Sequence, residues 1–398
     1  WQIEEAQLAS GDATLQLQGR LDTAGAAQLK AQVRQFDPHL LWRGAPGSAW
    51  ARLPGPTRLN ADADIDVRGK TAATVTGTVY ARLLPGSLAG LALEGRLKFG
   101  RERAADAATF DLEGRLGNSR WQTAGQARPD SVNGTAALKI SALAELNPLL
   151  AVLGQPALAG QGEVEGSYQL QRGRDGWQVG GSGRLALNQA KALGRSLASA
   201  KARWALPLPG SDGDGPVALS LEATQLRDPS AQLASLKLDL QGRRSAHEAQ
   251  AQVSGKVVRD AQDLALNARL QARGGWDGQA WSGRIGRIDI GPLRPGTPAL
   301  LAASDIPLRA SLDGPQVVAE PGRAEVGGAF VRWQRLSWRG GERPEARAEL
   351  QLEDLAVAPL LARWQPDFGW GGDLRITGHA SLLLDLRLTA ELLLERQG

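Results

Sequence analysis

The feature that most constrains this chain is an apolar/polar alternation of period two that recurs from end to end. Ala61, Ala63, Ile65 and Val67 interleave with Asp62, Asp64, Asp66 and Arg68. Val164, Tyr168 and Leu170 interleave with Glu163, Glu165, Ser167 and Gln169, while Gly162 and Gly166 hold the apolar register. Leu236, Leu238 and Leu240 alternate with Lys237, Asp239 and Gln241, and Leu350 and Leu352 with Glu349, Gln351 and Glu353. Side chains of a strand point to opposite faces in turn, so each segment has one apolar and one wet face. Such segments, among them 59–68, 75–83, 91–99, 162–171, 233–240 and 346–352, are separated by Gly, Pro, Asn or Asp. They follow one another without long helices, which predicts antiparallel meanders.

Three segments depart from the period of two. Leu21, Ala24, Leu29 and Val33 fall near helical spacing, and Asp37-Pro38 closes the run, which predicts a helix between Leu21 and Phe36. Residues 142–154 predict a short helix with a glycine stop at Gly154. Residues 355–364 predict another, since Ala358-Pro359-Leu360-Leu361 parallels Asn147-Pro148-Leu149-Leu150. Each Pro-Leu-Leu stretch leads to a further proline and a Gly-rich strand start. The layout predicts a weak internal repeat, 1–206 and 217–398, within one elongated domain spanning 1–398.

An amphipathic sheet of this extent must hide its apolar face. Roughly 25 strands about 4.8 Å apart would run on the order of 120 Å, and soluble proteins rarely expose contiguous apolar patches above a few hundred Å². The sheet can close into barrels, stack into sandwiches or curl into a trough. Barrels and sandwiches need recurrent domain boundaries, and neither loop 207–216 nor loop 291–298 shifts the composition around it. The expected fold is all-β: an elongated, curled antiparallel β-sheet trough (a β-taco) with a hydrophobic inner face and a few short helices.

The chemistry-bearing residues are sparse. There are no cysteines, so disulfides and thiolate sites are excluded, and the chain is compatible with an oxidising compartment. Lys and Arg number 46 against 42 acids, a net charge of +4 spread singly along polar strand faces. A nucleic-acid binder clusters its cations on one face. His39, His247 and His379 lack ligand spacing. Asp62, Asp64 and Asp66 suggest calcium, but Val67 and Ala73 stand where a calcium loop needs Gly and Glu. Asp212 and Asp214 suit a turn. No nucleophile elbow, phosphate loop or dinucleotide fingerprint is present. The expectation is therefore no catalytic residue, no metal, no cofactor and no enzymatic activity. A polysaccharide enzyme would cluster acids and tryptophans on one surface, and here they are dispersed.

Twelve tryptophans remain. Trp121, Trp177, Trp276, Trp281 and Trp333 stand at strand starts, and Trp42, Trp50, Trp364 and Trp370 near turns or short helices. They read as plugs for the ends of a thin aliphatic sheet, with sugar or lipid-headgroup contact as the alternative. No run reaches the roughly 18 apolar residues of a membrane span, and no signal peptide is recognisable.

The order of several short motifs resembles the TamB family of the translocation and assembly module. Phe36-Asp37-Pro38 is followed by Pro46-Gly47-Ser48-Ala49-Trp50 and Arg58-Leu59-Asn60-Ala61. Next come Gly114-Arg115-Leu116-Gly117 with Arg120-Trp121-Gln122, then Gly274-Gly275-Trp276 with Trp281-Ser282-Gly283-Arg284-Ile285. Ala358-Pro359-Leu360-Leu361-Ala362-Arg363-Trp364 with Trp370-Gly371-Gly372-Asp373-Leu374 completes the series.

The resemblance implies an AsmA-like, bridge-like lipid transfer protein of the Gram-negative periplasm. Such a protein is held in the inner membrane by an N-terminal anchor and meets a BamA-like barrel, TamA, at the outer membrane. Its partners are phospholipids, whose acyl chains slide along the groove while headgroups stay in water. This sequence lacks the anchor and reads as a periplasmic piece. The alternative is a scaffold for outer-membrane protein (autotransporter) assembly that pairs client strands at its edges. On the lipid reading, Leu15, Leu17, Ile65, Val67, Val164, Leu170, Leu238, Leu240, Leu266, Leu270, Leu350 and Leu352 line one dry face.

Overall fold

The computed structural model describes residues 2–397 apart from 24, 41–47, 49–54, 72–73, 174–175, 209–213, 229–230, 260–261, 278, 293–298, 312–313, 327–328, 342–343, 359–368, 370–373 and 385–387. The chain is all-β and antiparallel. It divides into two compact units, Trp1–Gly210 and Ser211–Gly398.

Unit 1 begins with β1 (Gln2–Ser10), β2 (Ala13–Leu21), β3 (Ala26–Phe36), β4 (Arg58–Arg68), β5 (Thr76–Leu88) and β6 (Leu91–Arg101). It continues with β7 (Ala108–Leu116), β8 (Ser119–Arg128), β9 (Ser131–Ile140), β10 (Leu158–Gly173), β11 (Gly176–Ala192) and β12 (Arg195–Leu206). Each strand pairs with the next. A 3-10 turn, Leu143–Leu146, and the single-turn helix α1 (Asn147–Val152) bridge β9 and β10, where a short helix was expected. Gly154 follows with φ +69°, the left-handed stop that glycine adopts at least cost.

Unit 2 begins with β13 (Pro216–Asp228), β14 (Ala231–Arg243), β15 (Ala246–Arg259), β16 (Gln262–Trp276), β17 (Ala280–Pro292) and β18 (Leu301–Ser311). The short strands β19 (Gln316–Ala319) and β20 (Gly322–Val326) come next. Then follow β21 (Ala329–Arg339), β22 (Glu345–Ala356), β23 (Arg375–Leu384) and β24 (Leu388–Gln397). The meander is regular except that β19 and β20 share the same two neighbours, β18 and β21.

Residues directly opposite in a ladder lie on the same face, so the register identifies the faces. In unit 1 one ladder runs Leu15, Val33, Ala61, Leu83, Gly95, Gly114, Trp121, Leu138, Val164, Leu185, Ala202, from β2 to β12. The adjacent ladder runs Gln16, Gln32, Asp62, Arg82, Arg96, Glu113, Gln122, Ala137, Glu165, Arg184, Arg203. In unit 2 an apolar ladder runs Leu221, Leu238, Ala251, Leu270, Ile288, Ala303, Ala324, Val331, Leu352, Gly378. The alternation of the sequence thus becomes one apolar and one polar face in each unit.

The segment 21–36 corrects one expectation. It forms no helix: Leu21 ends β2, and β3 occupies Ala26–Phe36. The three-residue step from Val33 to Phe36 is a β-bulge, not a helical turn. It places an extra residue in the strand, and Gln35 there takes φ +50°. The same step from Ile285 to Ile288 and from Trp333 to Leu336 accompanies the irregularities of β17 and β21. The expected helix near 355–364 falls mostly outside the described residues, as do Trp42, Trp50, Trp364 and Trp370.

Little covers the apolar faces. Among the described residues, Val152, Ile306 and Trp333 are the only bulky apolar side chains that are buried, and the rest of the buried apolar set is alanine.

Turn aspartates anchor the hairpin ends. Asp277 Oδ1 accepts the backbone N–H groups of Ala280 at 2.7 Å and Gln279 at 2.9 Å, and Asp214 Oδ1 accepts that of Ser245 at 2.8 Å. Hydrogen bonds from the Ser245 side chain and then its N–H to Asp214, and from the Ala280 and Gln279 N–H groups to Asp277, favour the carboxylate and hold both acids below the ordinary aspartate range. A depressed carboxyl contributes stability above its unfolded value and loses it as pH falls through the folded one. Amide exchange at Gln279 and Ala280 should therefore stay slow across neutral and mildly acidic pH and quicken only below the usual aspartate range. In Asp277→Ala it should be fast throughout. Equal protection in the variant would refute this account of the turn.

Candidate apolar groove

An apolar hollow lies in unit 2 around β18. Pro307 has no N–H to give to a ladder, and its carbonyl instead accepts the Glu320 N–H at 3.0 Å, at the corner between β19 and β20. Just before it, Asp305 takes φ +57°, and Arg284 Nη1 holds its carboxylate at 2.6 Å from both oxygens. A long strand flanked by two short ones can fold across the gap between them. Ile306, between Asp305 and Pro307, is buried.

The resulting hollow measures ≈ 560 Å³. Its lining comes from Ile285 and Ile288 on β17, Leu301, Ala303, Ile306 and Leu308 on β18, and Val317, Ala319 and Ala324 on β19 and β20. The far wall is Trp333, Leu336 and Trp338 on β21, Ala346 and Ala348 on β22, and Leu382 and Leu384 on β23. Ser337 and Arg347 are the polar residues at its boundary. Trp333 is the buried ring of that wall. Its ring lies over Gly322, directly opposite in the ladder, and its indole N–H donates to the Glu320 carbonyl at 2.8 Å. Trp338, on the same strand, is 45% exposed.

The lining residues expected from the sequence fall as follows. Leu15, Leu17, Ile65, Val67, Val164 and Leu170 all belong to the apolar face of unit 1: Leu15 and Val164 share one ladder, Leu17 faces Ala31, Ile65 faces Leu29 and Val79, Val67 faces Ala27, and Leu170 faces Val132 and Val179. Leu238, Leu270 and Leu352 share a ladder of unit 2, Leu240 faces Leu219, Leu266 faces Gly255 and Pro292, and Leu350 faces Trp333. All twelve are half-buried. Leu350 packs against the cluster around Trp333 and Ile306. The hollow itself contains none of the twelve, and half of its lining comes from aliphatic residues of 285–324. The three-residue step at Ile285–Ile288 and the Ile306-Pro307 pair are the sequence signals that mark it.

Aromatic rings over glycine recur on this face. A Cβ at Gly114 would stand 2.4 Å from Trp121, and one at Gly183 would stand 2.5 Å from Trp204. Both glycines are the direct ladder partners of those tryptophans. The rings therefore lie flat on bare backbone, where the sequence suggested plugs at strand ends. Trp177 departs from this and is exposed.

The polar faces carry exposed ion pairs. Arg34 Nη2 lies 2.7 Å from Asp62 Oδ1, an ion pair whose angle is not that of a hydrogen bond. Arg184 pairs with Glu165 at 2.8 Å and Lys237 with Glu222 at 3.5 Å. Exposed pairs of this kind contribute ~0–1 kcal/mol each. His247 Nε2 accepts the Trp281 indole N–H at 2.8 Å, so its Nδ1–H faces the Arg243 carbonyl at 3.1 Å. Both ring nitrogens are thereby used. Among the described residues no group of His, Asp and Glu has metal-site geometry, and no helix is long and apolar enough to cross a membrane.

No protein-family model, curated protein or solved structure matches this chain.

Proposed function

We propose that the chain is a non-enzymatic conduit that holds phospholipid acyl chains along its apolar face. The observation that carries this reading is the open hollow of ≈ 560 Å³, walled almost wholly by aliphatic and indole surface. Each methylene moved from water onto such a surface gains about 0.8 kcal/mol. That gain is non-directional, so a chain can slide along the groove without breaking specific contacts. The polar face of the same sheet keeps the protein in water, and the headgroup remains at the groove mouth. The resemblance to TamB-type proteins supports placing the conduit in the periplasm between inner and outer membranes, with an outer-membrane barrel as partner.

Native mass spectrometry of the delipidated protein after incubation with phosphatidylethanolamine/phosphatidylglycerol vesicles tests the reading. Bound phospholipid is expected, with occupancy falling at least about tenfold when Leu238 and Leu350 are both replaced by Asp, since each replacement puts a charge on the apolar face, Leu350 directly opposite Trp333 of the hollow. Gln351→Asp, on the opposite face, should leave occupancy unchanged. An empty wild-type spectrum, or equal occupancy in all three proteins, would reject the conduit.

A further inference from the structure

Unit 1 carries a second concavity, ≈ 830 Å³, spanning β5 to β10 and lined mostly by residues of the polar ladders. Its lining includes Arg82, Arg96, Arg115, Arg120 and Lys139. Arg115 faces Arg120, and Arg120 faces Lys139, so three cations stand side by side on consecutive strands. Arg82 faces Arg96 in the neighbouring ladder.

Like charges directly opposite on a sheet are unfavourable. Elsewhere the chain softens such pairs with a shared acid, as Glu353 does for Arg323 at 3.2 Å and Arg332 at 2.7 Å. Here the compensation is incomplete. Glu113 pairs with Arg96 at 2.8 Å, and Glu94 lies 3.7 Å from Arg115. Glu163 is opposite Lys139 in the ladder but forms no ion pair with it. Arg82, Arg120 and Lys139 are left with no acidic partner among the described residues.

We infer that this basin is a binding site for a phosphate-bearing anion with more than one negative charge. Arg115, Arg120 and Lys139 spread over about 10 Å, two strand spacings, which suits a pyrophosphate-like group or two neighbouring phosphates better than one monovalent anion. Guanidinium forks match phosphate oxygens in pairs. The anion would also remove the repulsion along the Arg115–Arg120–Lys139 row. The site therefore trades stability of the empty protein for affinity. It is independent of the acyl-chain groove, because its cations stand on polar ladders of the other unit.

The test measures pyrophosphate binding by calorimetry at two salt concentrations, and flotation with phosphatidylglycerol or phosphatidylcholine vesicles. Variants are Arg120→Gln with Lys139→Gln, and Lys201→Gln as a cation of the same unit outside the basin. Binding of pyrophosphate alone would identify a soluble phosphate ligand. Flotation with phosphatidylglycerol vesicles alone would identify a lipid headgroup. Either result supports the site, provided the double variant loses at least about tenfold in affinity and Lys201→Gln loses less than twofold. The double variant should also melt higher than the parent without ligand, yet show no shift on adding pyrophosphate. A purely structural role for these cations gives the reverse, a lower melting temperature. Failure of both probes to bind, or equal losses in the double variant and Lys201→Gln, overturns the inference.

Discussion

Trp333→Ala is expected to cost unit 2 about 3 kcal/mol, toward the lower end of what truncating a buried tryptophan removes because one side of its site is open. Trp333 is only 6% exposed, and Ile306, Ala319 and Ala324 are the buried residues that pack with it. Denaturant unfolding followed by tryptophan fluorescence should show an earlier unit 2 transition, with the unit 1 transition unmoved. Trp338→Ala, on the same strand and the same groove, should cost under about 1 kcal/mol, because its side chain is already 45% exposed. Gly322→Val is the mirror experiment, since a Cβ at Gly322 would stand 2.4 Å from the Trp333 ring. It should be severe in the parent and mild once Trp333 is alanine, a coupling that only direct contact produces. Similar costs for both tryptophans, or additive effects of Gly322→Val and Trp333→Ala, would mean that the groove wall is not organised around this ring.

The period of two was enough to read the strands, their antiparallel order and the apolar face. Leu15 and Val164 share a ladder because every intervening strand keeps the alternation in step. What pattern reading misjudged are the places where the step changes. Leu29 to Val33 is a helical interval of four, but four residues are also two strand periods, and in β3 both side chains lie on the apolar face opposite Gly19 and Leu15. The bulge from Val33 to Phe36 keeps the apolar side chains on one face while the strand bends.

The hollow was harder to see than the face it lies on. Leu238 and Leu350 are conspicuous because they sit in perfect alternation, yet depth arises where alternation breaks: at Pro307, at the paired short strands β19 and β20, and at the step from Ile285 to Ile288. Alanines such as Ala303, Ala319 and Ala324 carry little hydrophobic signal individually, but their small volume makes the space. Glycines opposite tryptophans act similarly. Gly114, Gly183 and Gly322 look like weak points in a strand, and each is the seat of a ring. The cation row on the polar face is invisible in one dimension, since Arg115, Arg120 and Lys139 belong to three different strands.

Asn60→Ala should destabilise unit 1 by about 2 kcal/mol, because it breaks two part-buried hydrogen bonds to the backbone at once. Two β-bulges coincide around Asn60: one between Val33 and Phe36 in β3, and one between Leu83 and Ser87 in β5 that shifts its register against both β4 and β6. The buried Asn60 amide bridges them. Its Oδ1 accepts the Gln35 N–H at 2.7 Å, and its Nδ2 donates to the Pro85 carbonyl at 2.7 Å. Alanine can do neither. Asn60→Asp separates the two bonds, since a carboxylate still accepts from Gln35 but sets a second acceptor against the Pro85 carbonyl. Protonation restores a donor there, so the introduced acid binds its proton more tightly in the folded state than in the unfolded one. Its folded value is raised, and the stability tied to that proton is present below the unfolded value and lost as pH rises through the folded one. The deficit of Asn60→Asp against the parent, measured by urea unfolding at a series of pH values, should therefore shrink on acidification while that of Asn60→Ala stays constant. Parallel pH profiles for the two variants would show that the donor bond to Pro85 does not hold the stacked bulges, and the bend they make in the apolar face would then need another cause.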